Sequence, residues 1–77
     1  MMSVEQILIR EFHLRFPNTK SIVASVNADD GRMSVSVDGK EWILSAARLG
    51  DEILFCSGPE KITFPFPDDW PAEVFAG

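Results

Sequence analysis

Residues 32–40 read Arg32-Met33-Ser34-Val35-Ser36-Val37-Asp38-Gly39-Lys40, and this stretch decides the fold. Apolar Met33, Val35 and Val37 alternate with Ser34 and Ser36 without a break. That period of two marks a strand with one buried and one open face. Asp38-Gly39 follows at once, and this pair favours the two-residue turn in which both residues take positive φ. The chain should therefore reverse and pair antiparallel, so Lys40 to Arg48 is expected as the next strand. Trp42 and Leu44 would lie on one face and Ile43 on the other.

A competing signal sits in the same place. Asp38 with Glu41 has the spacing of a helix capping box, and Ala46-Ala47-Arg48-Leu49-Gly50 resembles a helix closed by glycine. A helix over 41–49 is the alternative. Strand is preferred, because hairpin closure after so regular a strand is the stronger local signal.

Working outward, Ile22, Ala24 and Val26 share a face, and Asp29-Asp30-Gly31 supplies the turn into residue 32. Downstream, Glu52 to Ser57 gives a strand with Ile53 and Phe55 on one face. Gly58-Pro59-Glu60 turns the chain, and Lys61 to Phe66 sets Ile62, Phe64 and Phe66 inward. Pro65 and Pro67 place this last strand at a sheet border, since proline offers no amide to a neighbour.

The N-terminal segment has a different period. Ser3 with Gln6 forms a capping box, Val4, Leu8 and Phe12 make one helical stripe flanked by Ile9 and Phe16, and Glu11 can pair with Arg15. Pro17 with Asn18 ends the helix. Ile7 and Leu14 form a second, smaller apolar strip beyond the Glu11 and Arg15 pair, calling for cover from the C-terminal tail or a second subunit. The tail, 67–75, carries Trp70 and Phe75 and is expected to dock on the body, with a helical turn near Pro71.

The expected fold class is thus α+β: an N-terminal helix on a five-stranded antiparallel meander, with a short C-terminal segment docking on the body. A chain of 77 residues has room for one core, so 1–77 is read as a single domain. Cys56 is the only cysteine, which removes an intramolecular disulfide and agrees with a reducing, cytoplasmic address. It reads as a small buried hydrophobe. Met1 to Glu5 lacks the basic and apolar segments of a leader, and no apolar run is long enough to span a bilayer. No membrane partner is expected. A net charge of −5 repels phosphate backbones, so no direct nucleic-acid partner is expected either.

In a meander, strands one, three and five run to the same end. Their exits carry Asp29, Asp30, Asp51, Glu52, Asp68 and Asp69, an acidic rim partly neutralised by Arg32 and Arg48. Such a rim suits a basic protein partner. Acids also populate turns for local reasons, and their spacing here lacks any metal-loop pattern. The outer sheet face should carry Val23, Ile43, Ala47, Leu54 and Cys56, and these, with Ile7 and Leu14, make candidate apolar contact surfaces.

Catalytic motifs are missing. His13 and Cys56 are the sole conceivable base and thiol pair, joined by no motif, and no phosphate loop or dinucleotide fingerprint occurs. No cofactor, metal or catalytic residue is assigned. The leading expectation is a non-enzymatic protein-interaction module, a small adaptor or inhibitor acting through the outer face or the rim. A second is an acidic nucleic-acid mimic of the kind small phage-encoded inhibitors use. A third is a small enzyme whose site is completed across a homodimer interface, with Asp, Glu or His13 from both subunits.

Overall fold

The computed structural model describes residues 3–27 and 29–70, with the side chains of residues 47 and 48 outside that description. One helix, α1 (Val4–Arg15), is followed by β1 (Ile22–Asn27), β2 (Arg32–Val37), β3 (Lys40–Leu49), β4 (Glu52–Ser57) and β5 (Glu60–Pro65). The five strands form one antiparallel sheet in the order β1-β2-β3-β4-β5, the meander expected from the alternation. Residues 41–49 are extended, so the strand reading holds over the helical alternative.

The local signals act as the chemistry requires. The Ser3 hydroxyl oxygen accepts from the Gln6 amide at 3.2 Å while the Gln6 side chain accepts from the Ser3 amide at 2.9 Å, closing the capping box. Asp38 and Gly39 take φ of 50° and 87°, the double positive φ that lets two residues reverse a twisted hairpin. Asp38 is also a latch. Its Oδ1 accepts from the Lys20 and Ser21 amides at 3.0 and 2.9 Å, and its own amide donates to the Ser21 carbonyl at 2.9 Å. The start of β1 is thereby tied to the β2–β3 turn.

The core lies between α1 and the inner sheet face. Leu8, Phe12, Val35, Ile53, Phe55 and Phe64 are fully buried, with Met33, Val37 and Trp42 nearly so. Phe12 is the hub. Its ring stands edge-on to Phe55 at 5.1 Å and to Phe64 at 5.9 Å, and lies 6.2 Å from Phe16. Such aromatic pairs add about 0.5–1.5 kcal/mol beyond area burial. Trp42 packs on Phe12 and Phe16, and its buried indole N–H has no acceptor among the described residues.

A cluster of charged side chains flanks the buried stripe of the helix. Glu11 accepts from Arg15 at 3.2 Å, the expected pairing across one turn, and the Arg15 guanidinium sits 4.8 Å from the Phe64 ring centroid. Arg10 bonds Glu11 at 3.0 Å and grips both Asp69 oxygens at 2.8 and 2.9 Å. This chain of charges fastens the segment after β5 to the helix, and Trp70 packs partly buried against the core. Phe75 and the turn expected near Pro71 lie outside the described residues.

Candidate functional site

The outer sheet face is built by the residues between the core positions. Backbone pairing sets one row across all five strands: Ser25, Ser34, Ile43, Cys56 and Lys61. A neighbouring row runs Val23, Ser36, Glu41, and another Ala46, Leu54, Thr63. Ile43 is 53% exposed and Val23 61% exposed, while Leu54 and Cys56 are half-buried. Ile43, Leu54, Cys56 and Ala46 form a compact apolar patch on β3 and β4. Val23 stands two strands away, with the serines of β2 between.

β3 carries irregularities that reshape this face. Between Ile43↔Cys56 and Leu49↔Glu52 the register advances six residues along β3 against four along β4, so two residues are extra. Each bulge shifts the inward and outward alternation. Ala46 rather than Ser45 therefore stands opposite Leu54, and Leu49, 54% exposed, pairs with Glu52 at the far end of the patch. The Ala47 side chain lies outside the described residues. Ala46 is the patch member that simple alternation puts on the other face. Along this ladder Ile43 to Leu49 of β3 face Glu52 to Cys56 of β4.

β2 pairs with β3 only where Ser34–Val37 meets Lys40–Ile43. Beyond Ile43, β3 follows β4. A groove of about 400 Å³ occupies the notch, lined by Ser25, Asn27, Arg32, Ser34, Glu41 and Ile43, with Met33 and Leu44 in its wall. It joins an apolar edge to hydroxyl, amide and charged groups.

The helix residues named with the apolar surfaces part company. Ile7 is fully buried within the chain and is removed from any free surface. Leu14 is 68% exposed but rides on the helix, on the opposite side of the sheet from the patch. Cys56 is half-buried on the outer face rather than in the core.

The six rim acids do follow strand exits on one end of the meander, yet their charges are unequal. Asp69 is held by Arg10, whose two hydrogen bonds keep its carboxyl below the ordinary range and raise the guanidinium above its own. Asp30 accepts from the Arg32 amide at 3.0 Å and from Asn27 Nδ2 at 3.4 Å, and it lies 3.5 Å from Arg32 Nε. The Asp51 carbonyl accepts from the Phe66 amide at 3.3 Å, a turn-locking role for that backbone. Asp29, Glu52 and Asp68 are exposed. The rim is thus partly a set of turn and tether residues. Among the described residues no three His, Cys, Asp or Glu side chains gather closely enough to hold a metal ion. His13 is exposed on α1 while Cys56 lies on the outer face, so the sheet stands between them. Among the described residues no helix is long and apolar enough to cross a membrane.

Comparison of the chain with known protein families, with characterised proteins and with solved structures finds no match.

Proposed function

We propose that this protein is a non-enzymatic interaction module, a small adaptor or inhibitor that grips a protein partner with its outer sheet face. The observation that carries the reading is Ile43: a large aliphatic side chain, 53% exposed, at the centre of a face where its own strand's alternation provides serine and glutamate nearby. Leu54, Cys56, Ala46 and Leu49 extend the apolar area, and the adjacent groove offers Ser25, Ser34, Asn27, Arg32 and Glu41 for hydrogen bonding at its rim. An apolar centre with a polar border is the composition of protein contact surfaces. Arg32, 87% exposed in its side chain, and Glu41 beside Ile43 give the border both signs of charge.

The test is site-specific photocrosslinking in the host cell. A photoreactive residue at position 43 should trap one discrete protein, a companion Leu49→Ser change should abolish that product, and a probe at the exposed helix position 14 should not yield it. Equal labelling from positions 43 and 14 would refute the outer-face assignment. Trapping that depends on Asp29, Asp51 and Glu52 instead of Leu49 would favour the acidic-mimic alternative.

A further inference from the structure

The two borders of the sheet are protected differently. β5 carries Lys61 in its run and ends at Pro65, and proline and lysine are the residues that discourage strand addition. β1, Ile22-Val23-Ala24-Ser25-Val26-Asn27, is the other border, and it contains no proline and no charge.

The direction of its free backbone groups follows from two bonds. The Ser21 carbonyl accepts from the Asp38 amide at 2.9 Å and the Asn27 carbonyl from the Gly31 amide at 2.9 Å, so odd-numbered positions turn toward β2. In an antiparallel ladder the alternate residues then turn their N–H and C=O away from β2. Ile22, Ala24 and Val26 therefore present their backbone groups to the open edge. Their side chains lie half-buried against the core, and beside them a groove of about 290 Å³ is lined by Ile9, His13, Lys20 and Ile22.

We infer that β1 pairs antiparallel with β1 of a second copy of this chain, about a two-fold axis perpendicular to the sheet and centred on Ala24. Three considerations select this occupant and register. A two-fold in that orientation keeps each sheet face on its own side, so paired residue numbers must sum to an even value. Centring on Ala24 sets Ala24 against the partner's Ala24 and Ile22 against the partner's Val26, matching all three residues whose backbone groups face outward. Centring on Ser25 would set Ile22 opposite residue 28, beyond the strand. Finally, the ends of the strand are charge-complementary to themselves. Lys20 precedes β1 and Asp29 and Asp30 follow it, so antiparallel pairing brings each Lys20 within one or two residues, roughly 3–7 Å, of the opposite acids. Asp30 is already engaged by Arg32, which leaves Asp29 as the carboxylate that meets Lys20. The arrangement joins two five-stranded sheets and extends lateral cover over Ile22, Ala24 and Val26. It uses the sheet edge and leaves the outer-face patch open.

Sedimentation equilibrium of the full chain across about 1–100 µM tests this. The expected mass is twice the 8.6 kDa of one chain. Ala24→Pro removes the central outward N–H without touching a bond to β2, and should give a monomer whose circular dichroism is still that of the folded protein. Lys20→Glu and Asp29→Lys should each weaken association by about tenfold, since the contact occurs twice, and the double charge swap should restore it to within a few-fold. Ile43→Ser should leave the mass unchanged, which separates this interface from the outer-face reading. A monomer at 100 µM, a dimer indifferent to Ala24→Pro and to both charge changes, a dimer abolished by Ile43→Ser, or an edge that instead captures another protein's strand would each overturn it.

Discussion

On the helix side of the sheet, Val35, Ile53, Phe55 and Phe64 are fully buried, whereas one residue along the same ladders lie Ser34, Ser36, half-buried Leu54 and Ile43 at 53% exposure. The strands are shared, so backbone propensity cannot account for the contrast. Burial by α1 does. The inner face is filled with aromatic and branched residues because each removes apolar area from water at about 25 cal/mol per Å². The outer face keeps small hydroxyl residues under two strands and an aliphatic patch under two others.

The largest effect is expected at the helix. Phe12→Ala removes the ring that meets Phe16, Trp42, Phe55 and Phe64, and should cost about 3–5 kcal/mol of unfolding free energy in a urea titration. For a small domain of marginal stability that is enough to leave much of the population unfolded. A loss under about 1 kcal/mol would mean that the inner face is not the core.

An intermediate effect is expected from the two carboxylates that tie elements together. The Thr19 hydroxyl, which also lies 3.3 Å from the Ser21 carbonyl oxygen, and the Ser21 and Lys20 amides hold the Asp38 carboxyl below its ordinary range; Arg10 does the same for Asp69. Both groups bind protons more weakly folded than unfolded. Their contribution to stability is therefore complete above the unfolded value, near pH 4, and is lost as pH falls through the lower folded values. Thermal melts should fall in midpoint between about pH 5 and pH 2, and Asp38→Asn should flatten that fall. An unchanged slope in Asp38→Asn would show that the latch does not discriminate between carboxylate and amide.

The smallest effect is expected on the open face. Ile43→Ser should change unfolding free energy by no more than about 0.5 kcal/mol, because the side chain already meets solvent. A large loss there would reclassify Ile43 as a structural residue and remove the centre of the proposed contact surface.

Much of this contrast was legible from residue order alone. The unbroken alternation of 32–37, the Asp38-Gly39 turn and the Ser3 capping box are local devices, and each acts in the structure as its chemistry requires. The contact surface was legible only in part. Alternation places Ile43 and Leu54 correctly, but the two bulges in β3 set Ala46 in place of Ser45 opposite Leu54 and Leu49 in place of residue 47 opposite Glu52. A bulge is a compromise between two strands of unequal length, so it is invisible to a pattern read along either strand by itself. For Ile7 a helical wheel gives the angle and the need for cover, and the side chain is indeed fully buried, whereas what covers it depends on packing that the wheel does not contain. The rim acids were found by topology, but not the pairing of Asp69 with Arg10, which spans 59 positions.

On the proposed function, the face away from the helix is kept apolar for a partner rather than for the fold. The most direct measurement is a paired one on Ile43→Ser, combining urea unfolding with the yield of the position-49 photocrosslink in the host cell. Stability within about 0.5 kcal/mol of the parent together with loss of the crosslinked product is the predicted result. A destabilised protein, or an unaltered crosslink, would contradict it.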